Sequence, residues 1–224
     1  MPTRPQAVAF DIIDTVFRLD ALGPALAAHG LAVPDVETLY AALLRDAMAL
    51  ASAGGFAPLP EILGGALDQL RVHRGLRPSA EAREAVAGAM KELEPFADAG
   101  AAFRRLKDGG IAVHALSNGA RSATEALLAR AGFAELFTAV HSVEGAKTYK
   151  PHPAIYRAAI AAIGLAPQEV MLVATHAWDC HGAKRAGMTA GFVRRGQDWP
   201  KAFDRPDVTG EDLLDTAEAI LRLA

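Results

Sequence analysis

Cysteine is almost absent from this chain, because Cys180 is the only one among 224 residues. A single thiol cannot form an internal disulfide, and a cysteine-based zinc site needs several such ligands. An excess of charge of one sign is also lacking: the net charge is −3, and the basic residues are scattered. The sequence therefore predicts no disulfide, no cysteine zinc site and no nucleic-acid partner.

Long apolar runs are missing too. Gly, Pro or charged residues interrupt every run well before the about 20 residues that a membrane helix requires. The first residues, MPTRPQ, contain no apolar signal segment. We therefore expect a cytoplasmic protein without a membrane partner. A chain of this length can bury roughly 70% of its unfolded surface, which is enough for a sizeable core.

Short apolar runs rich in β-formers recur along the chain. They are AVAF (7–10), IAVHAL (111–116), FTAV (137–140), VMLVAT (170–175) and TAGFVR (189–194). From the second run onward they alternate with helical patterns, and this alternation predicts an α/β fold with a parallel sheet and helices on both faces. Residues 20–91 instead show helical periodicity without a strand, so an all-helical module is predicted after the first strand.

Polar side chains follow the predicted strands. Asp11 comes after the first run, Ser117 and Asn118 after the second, Lys150 after the third, and residues 176–179, which end in Asp179, after the fourth. In an open parallel sheet, ligands bind at the carboxyl ends of the strands. We therefore expect a carboxylate, a Ser-Asn pair, a lysine and a second carboxylate to converge on one edge.

Four segments, FDIIDTVF, LSNGA, KTYKPHPAIY and VATHAWDCHGAKRAGM, resemble the motifs of the haloacid dehalogenase superfamily, and the helical insert resembles its cap. The resemblance implies a Rossmann-like core of residues 1–16 and 95–224 with an α-helical cap at 17–94. It also implies a hydrolase whose nucleophile is Asp11. A carboxylate with an unperturbed pKa of about 3.9 is ionised at neutral pH and needs no activating base.

Two features of the superfamily's phosphatases are absent here. Ile13 occupies the position of their acid, which protonates the leaving group, and Thr175 that of an acidic residue that helps to hold Mg²⁺. The resemblance therefore favours the L-2-haloacid dehalogenases, whose halide leaving group needs no acid, and predicts no cofactor. Three functions remain open: dehalogenation of a small 2-haloacid through an ester of Asp11, hydrolysis of a small phosphate ester with Mg²⁺, and small-anion binding with weak catalysis.

The dehalogenase resemblance assigns further roles. It implies that Lys150 and Ser117 bind the carboxylate of a small-molecule substrate, that Asn118 helps to receive the halide, and that Asp179 orients Lys150 or the hydrolytic water. It also implies a possible homodimer. The other residues expected at the substrate are Thr15, Tyr40, Arg45, Tyr156, His176 and Trp178.

The chain departs from the dehalogenase pattern in two places. His176 replaces an asparagine. An imidazole differs from an amide in size and in protonation, since free histidine titrates near pH 6.5, and we expect this change to affect mainly the positioning of the hydrolytic water. An arginine of the cap receives the halide in the dehalogenases, but Tyr40 stands at that position, so Arg45, more than a turn later, is the candidate. Asp14 lies an odd number of residues from Asp11 and is expected to point to the other face and to brace the loop.

Overall fold

A computed structural model describes residues 3–224. Within them, six parallel strands form one sheet in the order β3-β2-β1-β4-β5-β6. The strands are β1 (Ala7–Phe10), β2 (Ala112–Ser117), β3 (Ala139–Ser142), β4 (Val170–Ala174), β5 (Thr189–Val193) and β6 (Val208–Gly210). The predicted α/β fold with a parallel sheet is confirmed. Strand β6 was not predicted, because its three residues, Val-Thr-Gly, form no apolar run.

The centre of the sheet is fully apolar. Every residue of β1 and β4 is buried, and Val8 of β1 is paired with Val113 of β2 on one side and Met171 of β4 on the other. Strands covered on both faces need no polar positions, which explains why these runs are continuously apolar rather than alternating.

The helices lie on both faces of the sheet. They are α1 (Leu22–Ala27), α2 (Asp35–Ser52), α3 (Leu59–His73), α4 (Ala80–Ala89), α5 (Ala99–Asp108), α6 (Arg121–Arg130), α7 (Pro153–Ile163), α8 (Ala177–Arg185) and α9 (Leu213–Leu221). Because crossovers between parallel strands are almost always right-handed, this strand order assigns α5 and α6 to one face and α7 and α8 to the other, and α9 packs against α5. In residues 3–224, no helix has the length and apolar character needed to cross a membrane.

Helices α1 to α4 form the predicted helical insert between β1 and β2. The two chain segments that connect the insert to the sheet run side by side, since Phe96 N donates to Val16 O at 2.9 Å. Arg195, after β5, joins both segments: it donates to the carbonyl of Thr15 at 3.3 Å, and its guanidinium lies 3.5 Å from the centre of the Phe96 ring. The division into a core of 1–16 and 95–224 and a cap of 17–94 stays a prediction.

The strand order reverses between β1 and β4. The chain extends the sheet through β2 and β3 on one side of β1 and then crosses to β4, β5 and β6 on the other. Ligands of open α/β sheets bind at such a reversal, outside the carboxyl ends of the strands. Asp11 follows β1 and His176 follows β4, so both lie at this point.

Helix α8 approaches α7 closely because Gly182 has no side chain. A Cβ atom at Gly182 would lie 2.6 Å from the Tyr156 hydroxyl and 2.7 Å from the Cβ of Pro151. This contact lets Tyr156 reach Asp179 one turn earlier in α8, where the hydroxyl donates to the carboxylate at 2.6 Å. Gly182 therefore sets the position of two buried residues near the sheet reversal.

We predict that Gly182→Ala lowers the free energy of unfolding by about 1–3 kcal/mol, because the added methyl group overpacks the contact between α7 and α8. Urea unfolding measures the change. Gly65→Ala is the matched control: its Cβ meets nothing within 4 Å in the middle of α3, so alanine should stabilise that helix by about 0.5–1 kcal/mol. Equal stability of Gly182→Ala and wild type would contradict the prediction.

Candidate active site

Asp11 is a buried carboxylate with both oxygens hydrogen bonded. It follows β1, is 5% exposed, and is anchored by its N–H, which donates to Val173 O of β4 at 2.9 Å. Its Oδ1 accepts from Lys150 Nζ at 2.7 Å, and its Oδ2 accepts from the Thr15 hydroxyl at 2.7 Å. These contacts hold the carboxylate in one orientation.

Lys150 is fully buried between two carboxylates. Its Nζ donates to Asp11 at 2.7 Å, to Asp179 Oδ2 at 2.6 Å and to the Leu116 carbonyl at 3.0 Å. An ammonium has three N–H donors, so none is left for a substrate. The expected direct bond from Lys150 to a substrate carboxylate is therefore not available in this arrangement.

The charges of the site fix its protonation. Burial alone raises the pKa of Asp11, but the Lys150 ammonium and the hydrogen bond from His176 outweigh this effect and hold the pKa well below its usual range. Burial lowers the pKa of Lys150, and the two carboxylates reverse that effect, so its pKa is raised. At neutral pH the site therefore contains a carboxylate at Asp11 and an ammonium at Lys150.

Asp179 lies behind Lys150 and is fully buried. Its Oδ1 accepts from the Tyr156 hydroxyl at 2.6 Å, and its Oδ2 accepts from Lys150. Burial and the neighbouring Asp11 charge raise the pKa of Asp179 despite the opposing effect of Lys150. Tyr156 and Asp179 thus position the ammonium, and neither is in direct contact with Asp11.

His176 joins Asp11 to a second carboxylate. Its Nδ1 lies 3.1 Å from Asp11 Oδ2, and its Nε2 lies 3.4 Å from Asp14 Oδ2. The ring stacks on Trp178, with the ring centres 5.2 Å apart, and lies 5.9 Å from the Tyr40 ring. Burial lowers the pKa of the imidazole, but the two carboxylates outweigh it and raise the pKa to about 9. The ring is therefore a cation at neutral pH.

The expectation that Asp14 points away from Asp11 is wrong. The chain turns directly after β1, with Val16 N donating to Ile12 O at 2.9 Å, and Asp14 has a positive φ of 67°. The alternation of an extended strand does not apply to such a turn, and a left-handed residue of this kind is commonly Asn or Asp. The turn brings the Asp14 carboxylate to the far nitrogen of His176.

A small, mostly apolar cavity lies over Asp11. The volume open to the centre of a water molecule is about 10 Å³, roughly what one water needs. The helical insert supplies most of its wall, and of those residues the sequence predicted only Tyr40 at the substrate. The cavity is lined by Asp11, Ile13, Tyr40, Leu43, Leu44, Leu59, Met90, Asn118 and Trp178.

The Ser-Asn pair after β2 lies at the same edge. Ser117 is buried, and its Oγ accepts from the N–H of Gly119 at 2.9 Å. The side-chain carbonyl of Asn118, Oδ1, accepts from the backbone N–H of Lys150 at 3.0 Å, and Asn118 also lines the cavity. Asn118 therefore ties the Lys150 loop to the end of β2 and forms part of the cavity wall.

Arg45 does not reach this site, so its expected position is wrong. Its side chain is 61% exposed and pairs with Asp46 at 2.7 Å, and its second contact is Gln69 of α3 at 3.3 Å. Tyr40, five residues earlier in α2, lines the cavity instead, and its hydroxyl donates to Ile13 O at 3.3 Å. The phase of α2 places these two side chains on different faces of the helix.

Neither of the two positions that distinguish the phosphatases carries a carboxyl group, either to protonate a leaving group or to bind Mg²⁺. Ile13 lines the cavity with an apolar side chain, and the Thr175 hydroxyl donates to Val193 O of β5 at 2.9 Å. Across the part of the chain that the structure describes, no group of three or more His, Cys, Asp or Glu is arranged to hold a metal ion.

Sequence comparisons connect this arrangement to known proteins. A family model described as haloacid dehalogenase-like hydrolase matches residues 5–187. An (S)-2-haloacid dehalogenase of Xanthobacter autotrophicus is 32% identical over 197 residues, which cover 85% of this chain and 75% of that protein. An (S)-2-haloacid dehalogenase of Pseudomonas sp. strain YL is 32% identical over 123 residues, and the match spans 55% of this chain and about half, 53%, of the relative.

A solved structure has the same fold. It is the L-2-haloacid dehalogenase from Xanthobacter autotrophicus with chloropropionic acid covalently bound, and it superposes with a TM-score of 0.91 over 98% of this chain and 100% of that chain. At 24% sequence identity, this likeness establishes the fold rather than the substrate.

We predict that Lys150→Met lowers the free energy of unfolding by about 3–5 kcal/mol at neutral pH, because it leaves the buried Asp179 without its counter-ion and Asp11 with His176 alone. Without the ammonium, burial raises the pKa of Asp179 further above its unfolded value. Such a group destabilises the fold increasingly as the pH rises from its unfolded pKa to the raised pKa. The stability loss in urea unfolding should therefore be larger at about pH 8 than at about pH 5.

Lys184→Met is the matched control for this test. Lys184 pairs with Asp207 at 2.8 Å, but both side chains are partly exposed, by 24% and 16%. Water can therefore solvate the remaining carboxylate, and the loss should be smaller and less dependent on pH. Equal losses of unfolding free energy in the two variants would show that the buried ion pair of Lys150 contributes no more to stability than a partly exposed pair.

Proposed function

Because the chain belongs to the haloacid dehalogenase-like hydrolase family, we propose that it hydrolyses a small 2-haloacid and that the reaction passes through an ester of Asp11. The observation that carries the proposal is the Asp11 carboxylate. It is ionised, held by Lys150 and Thr15, and lines an apolar cavity. The names of the two haloacid dehalogenases that resemble this chain support the same substrate class.

In the first step, an oxygen of Asp11 attacks the carbon that bears the halogen. The new C–O bond forms as the C–halogen bond breaks, and the halide leaves with the bonding electrons. The fixed orientation of Asp11 favours this step because a positioned nucleophile needs little further loss of entropy. The apolar wall of the helical insert desolvates the carboxylate, and the amide of Asn118 supplies a donor in the cavity.

In the second step, water hydrolyses the ester. The water attacks the carboxyl carbon of Asp11. The bond between that carbon and the ester oxygen breaks, and the ester oxygen, which came from Asp11, stays on the substrate carbon. The product is a 2-hydroxyacid. Lys150 keeps its charge throughout and stabilises Asp11 whenever its carboxylate is free.

A phosphate ester fits this site less well. Its alkoxide leaving group needs a proton, and general acid catalysis typically contributes about 10²–10⁴-fold. Ile13 has no proton to donate, and the Thr175 hydroxyl is engaged by Val193. A halide leaves without a proton, so neither residue impedes dehalogenation.

We predict that turnover continues when divalent metals are removed. Halide release from 2-chloropropionate, chloroacetate and fluoroacetate should be measured beside phosphate release from a generic phosphate ester, with and without EDTA and Mg²⁺. Halide release that EDTA leaves unchanged is the expected result. Phosphate release that disappears with EDTA and returns with Mg²⁺ would favour the phosphatase, and ligand binding without any turnover would favour the anion-binding protein.

We predict that Asp11→Asn lowers kcat by several orders of magnitude, because it removes the charge of the nucleophile and keeps its shape. Asp35→Asn is the matched control: Asp35 is also buried and ion-paired, with Arg74 at 2.6 Å, but lies in α2 away from the cavity, so it should cost stability more than rate. Single-turnover hydrolysis in ¹⁸O-water tests the ester directly. Label should enter Asp11, and label found only in the product would disprove covalent attack.

A further inference from the structure

We propose that His176, oriented by Asp14, is the general base that takes a proton from the water that hydrolyses the Asp11 ester. This inference rests on the proposed function and adds a catalytic residue to its second step. A general base must lie within hydrogen-bond reach of the reacting group, directly or through one water, and a third group commonly orients it. Asp11, His176 and Asp14 have this arrangement, with contacts of 3.1 and 3.4 Å.

The position of His176 distinguishes two roles for the ring: receiving the departing halide, or taking a proton from the hydrolytic water. In a direct displacement, the halide leaves on the side of the reacting carbon opposite the attacking oxygen. His176 Nδ1 lies 3.1 Å from Asp11 Oδ2, on the side of the nucleophile, and the ring does not line the cavity. The imidazole is therefore badly placed to receive the halide, whereas its Nδ1 is within hydrogen-bond distance of the carboxyl group that the water attacks.

The other polar groups near Asp11 are poorer bases. Lys150 stays protonated, and its three N–H groups are all donated, so it has no lone pair to offer. Burial and the surrounding carboxylates raise the pKa of Tyr40 well above its usual range, so its hydroxyl keeps its proton. The Thr15 hydroxyl also contacts Asp11, but an alcohol is a far weaker base than an imidazole.

Formation of the ester prepares His176 for this role. Two carboxylates, Asp11 and Asp14, hold the proton on the ring in the resting site. When Asp11 becomes an ester it loses its negative charge, so one of the two groups that raise the imidazole pKa is gone. The buried ring, also facing Tyr40 and Trp178, then releases its Nδ1 proton to solvent and becomes neutral.

The hydrolytic step balances as follows. Water bonds to the Asp11 carboxyl carbon, and one of its protons moves to Nδ1 of neutral His176. The tetrahedral intermediate then expels the alkoxide of the substrate, which takes that proton from His176 and leaves as the hydroxyacid. The second proton of the water passes from the Asp11 carboxyl group to His176 and restores the ionised pair. The net reaction releases one halide and one proton for each water consumed.

The test is a rapid-quench experiment with 2-chloropropionate on His176→Gln, which keeps an amide near both carboxylates but cannot accept the proton. We expect halide release of about one equivalent per site at a rate close to wild type. Hydrolysis should then slow by about 10²–10⁴-fold, the usual range for general base catalysis. The ester should accumulate and appear as an added mass on the intact protein. Added imidazole should restore part of the hydrolysis rate in His176→Ala.

His181→Gln is the matched control, because His181 lies in α8, the helix that begins directly after His176, and is 3.4 Å from a carboxylate, Asp204, away from the site. It should behave as wild type. Asp14→Asn provides a second readout that does not require replacing the base. It should move the rise of the hydrolysis rate to lower pH, because the loss of a carboxylate lowers the pKa of His176.

The outcomes separate the two proposals. If wild type releases no halide, the proposed function is wrong and the role of His176 is wrong with it. If wild type releases halide but His176→Gln slows both steps equally without an added mass, the dehalogenase stands and the general base is refuted. An unchanged pH profile in Asp14→Asn would likewise refute the orienting role of Asp14.

Discussion

The ammonium of Lys150 is the interaction on which the rest of the site depends. It bonds to two buried carboxylates that lie 139 and 29 residues away in sequence, and a buried charge without such partners would cost several kcal/mol. The end of β1, the loop before α7 and the start of α8 must therefore meet at one point. The glycine that lets α8 approach α7 and the Asn118 bond to the Lys150 backbone both support that meeting.

Much of the site follows from the sequence because parallel strands end at a common edge. That rule alone brings Asp11, Lys150 and Asp179 together, and the apolar runs mark five of the strands. Side-chain direction beyond the strand ends follows other physics. Asp14 depends on a left-handed turn, to which the alternation of a strand does not apply. Arg45 depends on which face of α2 is turned toward the sheet, and the packing of the insert decides that. The cavity wall from α2 to α4 consists of ordinary apolar helix positions that carry no distinct signal.

The site has its positive charge on the side of the sheet rather than on the helical insert. Tyr40 contributes an aromatic ring where the dehalogenase pattern has an arginine, and the cations in contact with Asp11 are Lys150 and the imidazolium of His176. In the proposed reaction, a cation beside Asp11 holds the attacking carboxylate ionised, whereas a cation across the cavity would act on the departing halide. Under that proposal, Tyr40 and His176 affect the electrostatics of opposite ends of the reacting bond.

The burial of Asp11, Lys150 and Asp179 also affects how the chain can tolerate change. Their removal from water opposes folding, and the apolar strands β1 and β4 must offset that cost. Apolar side chains of similar size in all three places would commonly be neutral or more favourable for stability. Under the proposed function, replacements that make the protein more stable at these three positions would remove the chemistry of the site, so the three buried residues cost stability where they supply reactivity.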